Sequence, residues 1–103
     1  MATVNCTNTT GRVTLSGTTV DTVNMNAGPF DVCNWTGATD LTVTYAVNGG
    51  SAATPVAGAA ETWAVPAGTS RRIEGPLGAF MASDVIQVKV LGNGNVYSVD
   101  GAG

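Results

Sequence analysis

The chain has 103 residues, a formal net charge of −3 and 11% charged residues, and this length suits a single domain over residues 1–103 rather than two domains. Its four basic residues are too few for the phosphate contacts on which nucleic-acid affinity rests, so we do not expect DNA or RNA as a partner. No apolar run approaches the roughly 20 residues of a membrane-spanning helix. The first residues also lack the basic start and apolar stretch of a secretory signal, so we expect synthesis in a cytoplasm and no membrane partner.

The low charge also bears on association. Soluble chains typically carry about 25% charged residues, so much of this surface must consist of Thr, Asn, Ser, Ala and Gly. Such a surface does little to oppose contact between molecules. We therefore expect contacts with other subunits.

The N-terminal segments "GRVTLSG" and "VDTVNM" each predict a short strand. Val13 and Leu15 share one face of the first, and Val23 and Met25 follow in step on the second, which is the two-residue period of a strand.

The segment "AGPFDVCNW" predicts a turn at Gly28 and Pro29, followed by a strand from Phe30 to Trp35. Cys33 and Trp35 fall on the same face of that strand.

The clearest alternation is in "TDLTVTYAV", which predicts a half-buried strand with Leu41, Val43 and Tyr45 on one face. The "NGG" that follows, residues 48–50, supplies turn residues for a reversal. Residues 51–60 have small side chains and no periodic apolar face, so we expect a loop or an edge strand there.

In the C-terminal part, Trp63 and Val65 continue the alternation until a break at residues 66–68, and a short strand is expected around Ile73 before a break at Gly75 and Pro76. "VIQVKV" and "NVYSV", separated by a Gly and Asn turn, predict a C-terminal hairpin. The terminal "DGAG" has nothing to bury and is expected to fray or to reach a neighbouring subunit.

About seven or eight short strands, with turn residues every 8 to 12 positions, predict an all-β fold. We expect a single antiparallel β-sandwich or small barrel with no helix of convincing length.

Catalytic and metal-binding signatures are missing. The chain has no histidine, the commonest catalytic base and a frequent ligand of zinc and copper. Its seven carboxylates are scattered in turns or near strand ends, where a solvated charge is the ordinary role. We therefore predict no enzyme activity, no metal and no cofactor.

Two features leave alternatives open. Cys6 and Cys33 either form a disulfide, which contributes roughly 3 to 4 kcal/mol on the chain-entropy account, or remain two free thiols. Aromatic side chains on a β-sandwich can stack on sugars, and Trp35 is the best exposed candidate, because Tyr45 and Trp63 fall on apolar faces and should fill the core.

Residues 65–80, "VPAGTSRRIEGPLGAF", contain a valine, "PAGT", a basic pair, a branched apolar residue and a "GP" break. With the Val- and Lys-rich strand and the second strand that follow, residues 62–99 resemble small all-β virion proteins of tailed bacteriophages. That group includes capsid decoration (cement) proteins and minor head or tail components. On a strand, Arg71 and Arg72 point to opposite faces, so either one lies on the domain's surface while its neighbour reaches a carboxylate of a partner, or both are solvated, as surface arginines usually are.

The resemblance implies a capsid decoration protein, located on the virion surface, that binds the major capsid protein or other virion subunits. It further implies a homo-oligomer, expected to be a trimer or at least to assemble around a symmetry axis of the shell, and Arg71, Arg72 and Trp35 as partner-binding residues. A sugar-binding module that uses Trp35 and a neck or tail component are the alternatives.

Overall fold

The computed structural model of the protein describes residues 3–26, 30–37, 39–47, 51–56, 62–73 and 85–101. This part of the chain is all-β, as predicted, and contains no helix that could cross a membrane. It has nine strands, slightly more than expected. The strands are β1 (Thr3–Asn5), β2 (Val13–Thr14), β3 (Val20–Asn26), β4 (Phe30–Thr36), β5 (Leu41–Val47), β6 (Trp63–Val65), β7 (Ser70–Ile73), β8 (Val85–Leu91) and β9 (Val96–Gly101).

The strands form two sheets. The five-stranded sheet has the order β1-β3-β8-β5-β6, and the four-stranded sheet has the order β2-β9-β4-β7. From β2 onward the pairing is nested, because β2 pairs with β9, β3 with β8, β4 with β7 and β5 with β6, all antiparallel. This is the strand order of a jelly-roll sandwich. Strand β1 is an addition that runs parallel to β3 at the edge of the five-stranded sheet.

The core lies between the two sheets and follows the predicted alternation. Fourteen apolar side chains, each no more than 2% exposed, form it. They are Leu15, Val23, Met25, Phe30, Val32, Leu41, Val43, Val65, Ile73, Ile86, Val88, Val90, Tyr97 and Val99. Tyr45 and Trp63, which were expected to fill the core, are partly buried and pack against it with their ring centres 4.9 Å apart.

The expected C-terminal hairpin is wrong, although both of its strands exist. Strand β8 lies between β3 and β5, whereas β9 lies between β2 and β4 in the other sheet. The predicted turn is present, with Gly94 at φ 68°, but it carries the chain from one sheet to the other. Turn residues mark a reversal of direction, and here each strand pairs on both sides with strands distant in sequence.

The expected fraying of the C-terminal residues is also wrong for Asp100 and Gly101, which extend β9. The Gly101 amide donates to the Asn8 carbonyl at 2.7 Å, and the Thr9 hydroxyl donates to the Asp100 carboxylate. The rest of that tail and the turns predicted at residues 28–29, 48–50 and 75–76 lie outside the described residues.

Residues 51–56 have no regular secondary structure, which confirms the loop prediction for that part of the segment. They cover the outer side of the five-stranded sheet, because the Ala52 amide donates to Gln87 Oε1 at 2.9 Å and the Thr44 hydroxyl donates to the Ala53 carbonyl.

A buried polar network ties the connections at one end of the sandwich together. Asn95 is fully buried, and its Nδ2 donates to Asn34 Oδ1 and to the Thr39 carbonyl, each at 2.9 Å. Asn34 Nδ2 in turn donates to the Val65 carbonyl at 2.9 Å. Gly37 makes this approach possible, since a Cβ there would lie 2.5 Å from Asn95 Nδ2 and its φ is 135°. The β4–β5, β6–β7 and β8–β9 connections are therefore fixed to one another.

Candidate functional site

The outer face of the four-stranded sheet carries the candidate site. Residues that alternate with the core positions of β4, β7 and β9 point away from the core. With Arg12, which precedes β2, these outward residues are Asp31, Cys33, Trp35, Ser70, Arg72, Ser98 and Asp100.

Trp35, which alternation places on this face with Asp31 and Cys33, lies at a β-bulge. Asn34 pairs with Tyr97 and Thr36 with Val96, so Trp35 is the extra residue with no register partner in β9. Bulges of this kind bend a strand and re-aim a side chain. Its neighbour Asn34 is held inward by the buried network, and the Trp35 side chain is 44% exposed, which confirms the sequence-based choice of Trp35 as the exposed aromatic residue.

The exposed indole is held in a defined position. Trp35 Nε1 donates to Ser98 Oγ at 2.8 Å. The guanidinium carbon of Arg12 lies 4.0 Å from the ring centre, a cation–π contact that contributes about 0.5–1 kcal/mol at an exposed site. The ring is therefore presented to solvent with its polar atom satisfied and a neighbour that restrains it.

A groove of about 190 Å³ lies beside Trp35, between β4 and the β6–β7 turn. Its lining residues are Cys33, Asn34, Trp35, Gly68, Thr69 and Ser70. The Gly68 amide donates to the Asn34 carbonyl and the Asn34 amide donates to the Thr69 carbonyl, both at 2.9 Å. Gly68 has φ 76°, which the turn requires and which glycine adopts without strain. The groove thus has a fixed wall and no charged lining side chain.

The two arginines of β7 do point to opposite sides of the strand, as predicted. Arg72 lies opposite Asp31 on the outer face, and its Nε is 3.1 Å from Asp31 Oδ1. Arg71 points the other way, and its Nη1 donates to the Ala64 carbonyl of β6 at 3.4 Å. Arg72 therefore finds its carboxylate within this chain.

Trp35 and Arg72 share the outer face but are not in one cluster. Arg72 lies beside Asp31, four positions before Trp35 on β4, and four strand residues span about 13 Å. Arg71 lies on the opposite side of β7. The three predicted partner-binding residues therefore lie in two places: Trp35 beside the groove described above, and Arg71 and Arg72 on the edge strand β7.

Sequence reasoning missed Arg12 and Ser98, the two residues that hold Trp35. Alternation before Val13 places Arg12 outward, which is a usable signal. Nothing in the sequence indicates that β2, β9 and β4 are neighbours, so the contact itself was not predictable.

Both cysteines are free thiols. Cys33 lines the groove on the outer face, whereas Cys6 packs against the core. Burial, and then the nearby Asp100 carboxylate, raise the pKa of the Cys6 thiol above its ordinary value. Of the two alternatives left open by the sequence, the structure has the free thiols.

The expectation that all carboxylates are solvated is wrong for Asp21. Its side chain is 1% exposed and accepts a hydrogen bond from the Tyr97 hydroxyl at 2.9 Å across the two sheets. Burial, followed by this hydrogen bond, raises the pKa of Tyr97 far above its ordinary value. Asp21 has the same parity as Val23 and Met25 on β3, so its strand position turns it toward the core.

Within the described ranges, no group of three or more Cys, Asp or Glu side chains is arranged to hold a metal ion. No known protein family, curated protein or solved structure matches this chain. Function is therefore inferred from the residues of this chain.

Proposed function

We propose that this protein is a non-enzymatic structural protein of a tailed-bacteriophage particle, a capsid decoration (cement) protein that binds the assembled shell. Three features support the proposal. They are the resemblance of residues 62–99 to small phage virion proteins, the low charge of the surface, and a jelly-roll strand order that viral capsid domains also use. Because one fold serves many functions, the surface residues must carry the argument.

The observation that carries the proposal is the difference between the two arginines of β7. Arg72 is neutralised by Asp31. Arg71 is exposed at the edge of the sheet and has no acidic partner among the described residues, its contact to the Ala64 carbonyl being a long 3.4 Å. An arginine with unused donors is well suited to bind a carboxylate of a neighbouring protein. Arg71 is therefore the proposed anchor on the major capsid protein.

The size of this edge bears on the assembly state. Strand β7 has four residues, a length of about 13 Å, whereas a stable interface buries about 800 Å² on each partner. One copy bound through this edge alone would be held weakly. We therefore propose a homo-oligomer, a trimer or another assembly around a symmetry axis of the shell, so that several edges bind together.

Co-sedimentation with particles isolated from the source tests the proposal. A charge-assisted hydrogen bond contributes about 1.5–3 kcal/mol, so Arg71→Ala should weaken shell binding by about tenfold to a hundredfold. Arg72→Ala is the matched control, because it removes an exposed ion pair worth about 0–1 kcal/mol. Unchanged binding of Arg71→Ala, with both variants folded, would remove Arg71 from the interface.

Copy number separates decoration from the alternative role in a neck or tail. Particles are purified on a density gradient, and this chain is quantified by mass spectrometry against the most abundant shell protein. A copy number comparable to that of the shell protein supports decoration, and a small ring-like number assigns the chain to the neck or tail. Sedimentation only as a free small protein would overturn both.

A further inference from the structure

The groove beside Trp35 is not explained by shell binding through Arg71, because Arg71 lies on the opposite side of β7. We infer that this groove is a binding subsite for a neutral sugar, in which one pyranose ring stacks on Trp35. The inference goes beyond the proposed function and does not depend on it.

The first argument is that Trp35 is exposed yet restrained. A single exposed aromatic side chain is ordinary on a protein surface, and what distinguishes Trp35, which is 44% exposed, is that its contacts restrain it. The side chains of Ser98 and Arg12 contact the indole directly. The preceding residue, Asn34, is anchored by its hydrogen bond to the Val65 carbonyl, and this fixes the backbone of the bulge. A ligand that stacks on such a ring loses little affinity to side-chain ordering.

The second argument is the size of the groove. Its volume is about 190 Å³, below the roughly 300–1,000 Å³ of pockets that take drug-sized ligands. This volume suits a ligand of one ring better than a larger one, and the six lining residues are too few to form a channel for a peptide strand or a helix.

The third argument is the chemistry of the lining. It contains no charged side chain, and the nearby Arg12 guanidinium is engaged over the Trp35 ring, so no lining residue offers a counter-charge to a phosphate or a carboxylate. It does contain hydroxyl groups beside the indole. The Ser70 hydroxyl has no hydrogen-bond partner among the described residues, and the Thr69 hydroxyl donates to the Pro66 carbonyl at 2.6 Å and keeps its acceptor positions.

A pyranose matches this combination. One face of the ring is made of C–H groups, which pack on an aromatic ring, and its edge carries neutral hydroxyls that both donate and accept hydrogen bonds. Trp35 provides the aromatic surface, Ser70 and Thr69 provide the polar edge, and Cys33 also lines the groove.

The test uses tryptophan fluorescence in a Trp63→Phe background, where Trp35 is the remaining tryptophan. Glucose, galactose, mannose and N-acetylglucosamine are titrated singly, with adenosine as a neutral stacking ligand of different shape. We expect at least one sugar to cause a saturable change of the emission, with Kd on the order of 1 mM for one ring in an open groove. Adenosine should cause none.

Two variants test where the sugar binds. For these variants, binding is measured by the NMR chemical shifts of the backbone amides, a signal that does not depend on Trp35. Trp35→Ala should weaken sugar binding by about tenfold or more, and Ser70→Ala by a few fold, on the order of one neutral hydrogen bond. Both positions are exposed at the surface, so neither variant should unfold the domain, and circular dichroism checks this.

The inference is overturned by the absence of a saturable response to every sugar, by an equal response to adenosine, or by unchanged affinity in Trp35→Ala. Arg71→Ala should keep the sugar response in full. Loss of shell binding with an intact sugar response, or the reverse, therefore shows which of the two proposals has failed.

Discussion

Replacing Tyr97 with Phe removes one oxygen atom from the interior of the sandwich and leaves the aromatic ring in place. Tyr97 is fully buried, and its hydroxyl donates at 2.9 Å to the carboxylate of Asp21, which is 1% exposed. Water does not reach this position to replace the lost donor. Hydrogen bonds to charged groups contribute about 1.5–3 kcal/mol, so we expect the free energy of unfolding to fall by about that amount.

Thermal and urea unfolding followed by circular dichroism measure this loss. For a domain of this size, 1 kcal/mol corresponds to about 4–8 °C in Tm, so Tyr97→Phe should lower Tm by about 6–24 °C. Asp21→Asn and the double variant complete a double-mutant cycle, in which the coupling energy isolates the Asp21–Tyr97 contact. A loss below about 0.5 kcal/mol, the ordinary range of a surface substitution, would refute the argument that the phenol satisfies this carboxylate.

Two further predictions concern the same interior and the loop end. Because folding raises the pKa of Tyr97, the folded state binds the phenolic proton more tightly. The contribution of this protonated phenol to the free energy of unfolding is therefore complete below about pH 10, the ordinary pKa of tyrosine, and falls by about 1.4 kcal/mol per pH unit above it. Urea titrations at pH 8 to 11 should show this slope in the wild type and lose it in Tyr97→Phe. An unchanged slope in Tyr97→Phe would contradict the assignment. Gly37→Ala should destabilise by more than about 1 kcal/mol, because a left-handed backbone combines with a Cβ 2.5 Å from Asn95 Nδ2. Gly17→Ala, with φ 64° and nothing within 4 Å, is the control for backbone strain alone, and equal losses in urea unfolding would show that the Asn95 contact is unimportant.

The faces of the strands could be predicted from the sequence, but the pairing of the strands could not. Alternation identified the inward positions of β5 because burial imposes a two-residue period within each strand. The pairing of β8 and β9 depends on partners far along the chain, and a Gly and Asn turn gives the same signal whether its two flanks pair with each other or enter different sheets.

For the candidate site, too, the directions of single side chains could be predicted from the sequence, but the contacts between distant strands could not. Exposure of Trp35 followed from its place at a strand end, and the opposite directions of Arg71 and Arg72 followed from parity. The groove requires the β6–β7 turn to lie against β4, and the Asp21–Tyr97 contact joins residues 76 positions apart. Neither has a local signal in the sequence.

The nested pairing of the strands also determines the order in which the molecule can form. Strand β2 pairs with β9, which includes the final residues that the structure describes, and β9 also completes the sheet against β4. Contacts between segments so distant in sequence require long loops to close, which slows folding in all-β proteins. During synthesis, β2, β4 and β7 emerge before their partner β9, and Ser98, which holds Trp35, is part of β9. The restrained indole therefore forms only after β9 has left the ribosome, so nascent or truncated chains that lack β9 also lack this surface.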